Sequence, residues 1–415
     1  MSQMIPRPYY LQTLLAWKDK AEIIKIITGI RRSGKSRMLD IYQDWLKQNG
    51  VAPEQIIRVD YEEAEPLMEL LDWKKLYGYI HSRLTAGRMY YIFLDEIQVV
   101  PDFQLAVNAL RKLPNVDLYL TGSNSAILSG ELATRLSGRY VTINMLPLSF
   151  REYVSAYPFK NRTTEEQFND YIRNGGFPYS MRMFVSNEER EQWDLGAIRM
   201  LNGGIWNTIV MKDLIERKKI REVERLNNVI KFLFHNIGNE TSISGIANAI
   251  TESRMKIDGT TIESWLNGLL EAYVLYKASR YDIKGKRLLK TNAKYFVSDV
   301  GLRYFLLGGE GDLGHILENV VYLELRRRGY DDIFIGKVYT NEVDFVAKRG
   351  ADLEYYQVVY SMSGQKTEER ELKSLDAIHD HNPKYILTHD RLFRESNNGI
   401  KTVNVLDWLL KEKAD

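Results

Sequence analysis

The chain contains no cysteine, so neither a disulfide framework nor a thiolate metal site can be built from it. It has no run approaching about 18 apolar residues, the length a membrane-spanning helix needs, and it opens without the basic-then-apolar pattern of an export signal. Those absences lead to the expectation of a soluble, cytoplasmic protein with no membrane partner. Net charge is nearly absent too: 57 Lys and Arg against 55 Asp and Glu leave +2. That balance is too mild to mark a nucleic-acid binder, so any such role has to rest on local clusters. Internal repeats and low-complexity segments are also missing. What is present is 415 residues, 44% of them hydrophobic, enough for sizeable cores and for two to four domains. The 26 tyrosines read mainly as half-buried packing residues.

The most informative stretch is "IITGIRRSGKSRML", residues 26 to 39. Ile23 to Thr28 reads as a buried strand, because β-branched residues run there without alternation. Gly29 to Ser36 then fits G-x-x-x-x-G-K-[ST] at every fixed position. Gly29 and Gly34 let successive backbone N–H groups turn inward on an anion, and a helix from about Lys35 to Leu46 adds the positive end of its dipole. Lys35 is placed for β- and γ-phosphates and the Ser36 hydroxyl for Mg2+. Ile30, Arg31, Arg32, Ser33 and Arg37 complete the candidate phosphate loop. Arg31 and Arg32 either line the phosphates or stand solvated.

A phosphate loop calls for an acidic strand, and "RMYYIFLDEIQ" supplies one ending in Asp95 and Glu96. Asp95 is placed to hold Mg2+, and Glu96 to orient and deprotonate the attacking water. A third apolar run, "VDLYLTGSNS", ends in Thr121, Ser123 and Asn124, which either touch the γ-phosphate or simply form the turn. Arg135 and Arg139 follow four residues apart, as transition-state arginines or as surface charges.

"TGIRRSGKS", "FLDEI", "LTGSNS", "LSGELATRLSGRY" and "LPLSFREY" occur in one order. That succession resembles a family of archaeal and bacterial AAA+ ATPases whose members end in a domain of unknown function related to PD-(D/E)XK nucleases. The resemblance covers nearly the whole chain. It implies an α/β fold with a P-loop AAA+ core over residues 1–150, a helical lid over 151–224 and a winged helix over 225–311. A restriction-endonuclease-like α/β domain over 312–415 completes it. ATP and Mg2+ are the implied cofactors, and a homo-oligomer the implied assembly. "GGFP", Gly175 to Pro178, resembles a signature of related switch-type ATPases, which implies a nucleotide contact for Pro178. Arg7 and Tyr9 in "IPRPYYL" match the segment that flanks the adenine.

Beyond the core, "MKDLIERKKIREVERL" carries balanced charge and reads as a solvated helical face. Three helical segments and a hairpin then follow. The hairpin carries Lys277, Arg280, Lys284, Lys286, Arg287, Lys290 and Lys294 against a single Asp282, a density suited to a DNA backbone or to a protein surface. In the last segment Glu318 and Asp344 match the nuclease-like acids. At the third position the chain has Gln357-Val358-Val359 where an active enzyme has an acid, a spacer and a lysine. An amide is a poor Mg2+ ligand and valine moves no proton, so the site is expected to be degenerate. Lys337 is the candidate substitute lysine, and Arg326, Arg327 and Arg328 are candidate phosphate contacts. The favoured function is an ATP-hydrolysing protein that binds and remodels DNA. The alternatives are an ATP-dependent signalling switch with a protein partner and an ATP-controlled nuclease.

Overall fold

The computed structural model describes residues 5–62, 68–128, 136, 138–185, 193–252, 257–309, 311–362 and 365–412. The chain forms two compact units, Met1–Pro147 with Glu271–Tyr273, and Leu148–Leu270 with Val274–Asp415. No described helix is long and apolar enough to cross a membrane.

The first unit is built on five parallel strands: β1 (Ile24–Thr28), β2 (Ile56–Asp60), β3 (Tyr90–Asp95), β4 (Val116–Gly122) and β5 (Tyr140–Asn144). They lie in the order β2-β3-β4-β1-β5. β1, β3 and β4 are buried along their whole length, the condition under which a strand reads as continuously apolar. Their side chains still alternate. Ile24, Ile26, Ile92, Leu94, Leu118 and Leu120 join one apolar layer, and Ile27, Tyr91, Phe93 and Tyr119 join the other. The helix Lys35–Gln48 covers the second layer with Met38, Leu39, Tyr42 and Leu46, one turn apart on a single face. Helices Trp73–His81 and Phe103–Arg111 cover the first with Leu76, Ile80, Val107 and Leu110. Each fully buried aliphatic side chain contributes about 1.5–3 kcal/mol, so the sheet ends are held firmly. β4 lies between the strand that enters the glycine loop and the strand that ends in Asp95.

The second unit begins with helices Phe150–Ala156, Thr164–Asn174, Pro178–Val185 and Leu195–Thr208, then a π-helical stretch, Ile209–Glu216. Helices Val223–His235, Ile243–Glu252 and Gly259–Glu271 lead into a hairpin of β6 (Leu275–Asp282) and β7 (Arg287–Val297). From Leu313 the order is helix, three strands, helix, strand. The strands are β8 (Asp332–Val338), β9 (Asn341–Arg349), β10 (Asp352–Val359) and β11 (Lys384–Thr388), followed by β12 (Ser396–Asn397) and β13 (Ile400–Asn404). All eight form one sheet, β12-β13-β11-β10-β9-β8-β6-β7. The division expected at 311/312 is therefore no break in the sheet. The β6–β7 register shifts between Ser279 and Arg280, and Arg280–Asp282 pair in parallel with Ile335–Lys337 of β8 while still pairing with β7. That pairing covers an edge of β6 which would otherwise be open.

Candidate functional site

The loop after β1 closes around its own backbone. Gly29 has φ 145°, and a Cβ there would lie 2.1 Å from the Met145 carbonyl oxygen, so only glycine fits. Gly34, at φ 99°, precedes the helix Lys35–Gln48. Lys35 is buried and donates from Nζ to the carbonyls of Gly29 at 3.0 Å and Ile30 at 3.2 Å, with Glu96 at 3.8 Å. Burial pushes its pKa down, against the pull of Glu96 and Asp95. The Ser33 hydroxyl is fully buried in the loop with no hydrogen-bond partner. An orphaned hydroxyl inside a glycine-framed cradle fits an anion that the loop is shaped to receive.

The acidic half is equally organised. Asp95 accepts from the Thr121 hydroxyl, from Ser36 and from Arg58 Nη2 at 2.8 Å. Burial raises its pKa to about 6, and Asp60 adds to the rise while Thr121 and Arg58 oppose it. Glu96 adopts a left-handed φ of 53°, and its N–H donates to the Thr121 oxygen at 2.9 Å. Its carboxylate accepts from Ser123 Oγ at 2.9 Å and from the Gln98 amide. Burial pushes Glu96 up, but Lys35 and Gln98 outweigh it and hold the carboxyl below its ordinary range. A buried ionised carboxylate beside a lysine and a hydroxyl can take a proton from water once the lysine is drawn elsewhere.

The structure places the remaining sequence candidates of this unit unevenly. Arg7 is buried, donating to the carbonyls of Ser33 at 3.2 Å and Leu146 at 2.7 Å, and so braces the loop from behind. Tyr9 is 39% exposed, edge-on to Tyr10. Arg31 pairs with Glu62 at 3.3 Å, Arg32 is exposed, and Arg37 pairs with Asp40 at 2.9 Å. Asn124 is buried, and Ile30 packs fully into the interior. Arg139 does not join the site: its carbonyl receives the Ile24 N–H at the amino ends of β1 and β5, away from the loop. Arg135 lies outside the described residues. Sequence reasoning missed Arg58 and Asp60. The signal was the alternation in "IIRVD", which sets both on one face of β2 with Asp60 in register with Asp95.

In the second unit, Glu318, Asp344 and Gln357 do converge. Each is nearly buried, from the helix Leu313–Arg327, from β9 and from β10. Asp344 Oδ2 accepts the Val358 N–H at 2.8 Å, and the Asp344 N–H reaches Gln357 Oε1 at 3.4 Å. Gln357 Nε2 donates to Glu371 at 2.8 Å. The lysine beside these acids is Lys294 of β7, not Lys337, which is exposed on β8. Burial raises Glu318 to about 7 against Lys294, and burial together with Glu318 pushes Asp344 well above its ordinary range.

Several expected phosphate contacts are otherwise engaged. Lys294 is buried among carboxylates, and Arg280 pairs with Glu240 at 2.8 Å. Arg327 is buried, and Arg328 is bound to Glu324 and stacked on Trp408. Lys277, Lys284, Lys286, Arg287 and Arg326 remain exposed. Pro178 opens a helix just after Gly175 and Gly176. A Cβ on Gly175 would come within 2.3 Å of Asp299, and the Gly176 N–H donates to that carboxylate at 2.6 Å.

Comparison with known proteins gives matches along the chain. A sequence family described as an AAA domain matches residues 21–154, and one described as a domain of unknown function matches 165–312. An uncharacterized protein of Haemophilus influenzae is 38% identical over 414 residues, 98% of this chain and 99% of its own. An uncharacterized protein of Methanocaldococcus jannaschii is 30% identical over 374 residues, 86% of this chain and 79% of its own. Among solved structures, the Walker-type ATPase of Pyrococcus abyssi covers 73% of this chain and 96% of its own, at 17% identity and a TM-score of 0.49. The chain belongs to one family with the Haemophilus and Methanocaldococcus proteins, and its residues 21–154 match an AAA domain.

Proposed function

We propose that the chain is a Mg2+-dependent ATP hydrolase that uses its cycle on DNA held by the second unit. The reading is carried by the pairing of an anion cradle at Gly29–Ser36 with a Ser36–Asp95–Thr121–Glu96 chain across β4. Ser36 and Asp95 are the groups that would hold Mg2+, which neutralises phosphate charge when bound. Lys35 then leaves its carbonyls for the phosphates, and Glu96, losing that partner, becomes the base for water. Ser123 and Thr121 keep its backbone and carboxylate in place.

DNA binding is supported by the succession of three helices and a basic hairpin between Val223 and Val297, the order of a winged helix. Thr241, ahead of the second helix, bridges to Ala293 of β7, as a short third strand would. Lys277, Lys284, Lys286 and Arg287 project from that hairpin into solvent, where phosphates can reach them. The boundaries 151–224, 225–311 and 312–415 remain the proposed functional division, with 312–415 as a platform that no longer cuts. An oligomer in which Arg135 or Arg139 serves a neighbouring subunit fits the position of Arg139 away from its own loop.

The deciding experiment is ATP turnover with and without linear and branched DNA. Strong stimulation supports the motor. Turnover that is slow and indifferent to DNA would instead favour a signalling switch with a protein partner.

A further inference from the structure

Lys294 does something that a solvated hairpin lysine would not. Its Nζ lies 2.7 Å from Glu342, 3.3 Å from Glu318 and 3.9 Å from Asp344, and the residue is 4% exposed. Three carboxylates facing one another would repel strongly and lose their hydration, so such a cluster holds protons or surrounds a cation. The ammonium donates to Glu342 and Glu318, and Asp344 lies within its field.

We infer that Lys294 is the resident cation of this acidic site, standing in the position that a divalent metal takes between two carboxylates. The cluster therefore binds no divalent metal. The inference goes beyond the ATP and DNA reading and rests on neither.

Two independent observations agree. The third corner is closed, because Gln357 spends its amide nitrogen on Glu371 and its oxygen on the Asp344 N–H. The second oxygen of Asp344 is already taken by the Val358 N–H. The charge at the centre of the site comes from β7, which pairs with β6 in the same sheet.

The test uses the full chain carrying Asp95→Asn, which removes the acid of the other site, titrated with Mn2+ alone and read by electron paramagnetic resonance. The protein with Lys294 should give the same Mn2+ isotherm as its Asp344→Asn derivative. Lys294→Met should gain one Mn2+ per chain, bound about tenfold or more tighter than any ion on the parent, as freed carboxylates require. That gain should vanish in Lys294→Met with Asp344→Asn. Mn2+ bound by the parent and lost on Asp344→Asn would overturn the inference, as would a folded Lys294→Met protein that binds no more than the parent. If Lys294→Met folds only with Mn2+ present, the inference stands. If it does not fold at all, the parent and its Asp344→Asn derivative decide the matter alone.

Discussion

Each unit of this protein brings carboxylates and a lysine together at a sheet, two acids in the first and three in the second, and the two arrangements do opposite things. In the first, Lys35 rests on backbone carbonyls and lies 3.8 Å from Glu96, and the Ser33 hydroxyl has no partner. Something is left to bind. In the second, Lys294 stands among Glu318, Glu342 and Asp344, and Gln357 and Val358 take up the remaining valences. Nothing is left over. Acid pairs and lysines do not by themselves make a reactive site; unsatisfied, preorganised groups aimed at a missing ligand do.

The sharpest way to break the comparison is to remove the base that only the first site is expected to use. Glu96→Gln should keep ATP binding and lower hydrolysis by about 10² or more, the usual loss for a positioned general base. Lys35→Ala should lose ATP binding as well. Asp344→Ala should leave turnover near that of the parent, because the second site contributes no reacting group. Steady-state hydrolysis and nucleotide binding measured on all three decide it. A Glu96→Gln protein with normal turnover would refute the assignment of the base.

The first site was legible because its chemistry is local. A glycine loop, a lysine and a strand-end acid pair lie within short segments whose backbone requirements are visible residue by residue. Gly29 and Gly34 need positive φ, and Asp95 and Glu96 end an unbroken apolar run. The second site was half legible. Glu318, Asp344 and Gln357 could be placed from helix and strand order, but Lys294 could not. It reaches the acids from β7, whose partner β6 joins the hairpin to β8, a tertiary event that no window of sequence contains. The same holds for Lys25, which lies inside an apolar strand and is fully buried against Asp117.

A second prediction concerns the double-glycine turn, where burial and charge can be separated by pH. Asp299 accepts the N–H groups of Gly176 at 2.6 Å and Leu302 at 3.0 Å, and burial pushes it up to about 6. Its unfolded value is near 3.9, so between about 4 and 6 the folded state binds more protons than the unfolded one. Stability from this group is therefore largest at low pH and falls as pH rises through 6. Asp299→Asn removes that dependence and turns an NH2 group toward an N–H donor, at a cost of about 1–3 kcal/mol. Urea unfolding of both proteins should show a larger difference at pH 5 than at pH 8. A difference that grows with pH would contradict the raised value.

The third tests whether Arg58 positions Asp95. It donates to Asp95 at 2.8 Å while also bridging Asp60 at 2.8 Å and Asp40. Without it, the ionised form of Asp95 faces Asp60 alone and becomes harder to maintain. Arg58→Met should need about tenfold more Mg2+ for half-maximal hydrolysis, the usual scale for a group that orients a metal-binding acid. A change in maximal rate with an unaltered Mg2+ requirement would assign Arg58 another role.

The smallest effect separates the exposed from the engaged cations of the hairpin. Lys286 lies at the turn in solvent, whereas Arg280 is paired with Glu240 at 2.8 Å. Only a free cation releases counterions when it meets a phosphate. Lys286→Gln should therefore weaken DNA binding severalfold, equally for unrelated sequences, and reduce the slope of log affinity against log salt by about 0.9. Arg280→Gln should leave that slope as it is, because its charge is already spent on Glu240. The measurement is fluorescence anisotropy on duplex DNA across a salt series. If neither substitution moves affinity or slope, the hairpin is not the surface that meets DNA. If Arg280 moves the slope as much as Lys286 does, the Glu240 pair opens on binding, and the engaged cations of this unit are a reserve that DNA can draw out.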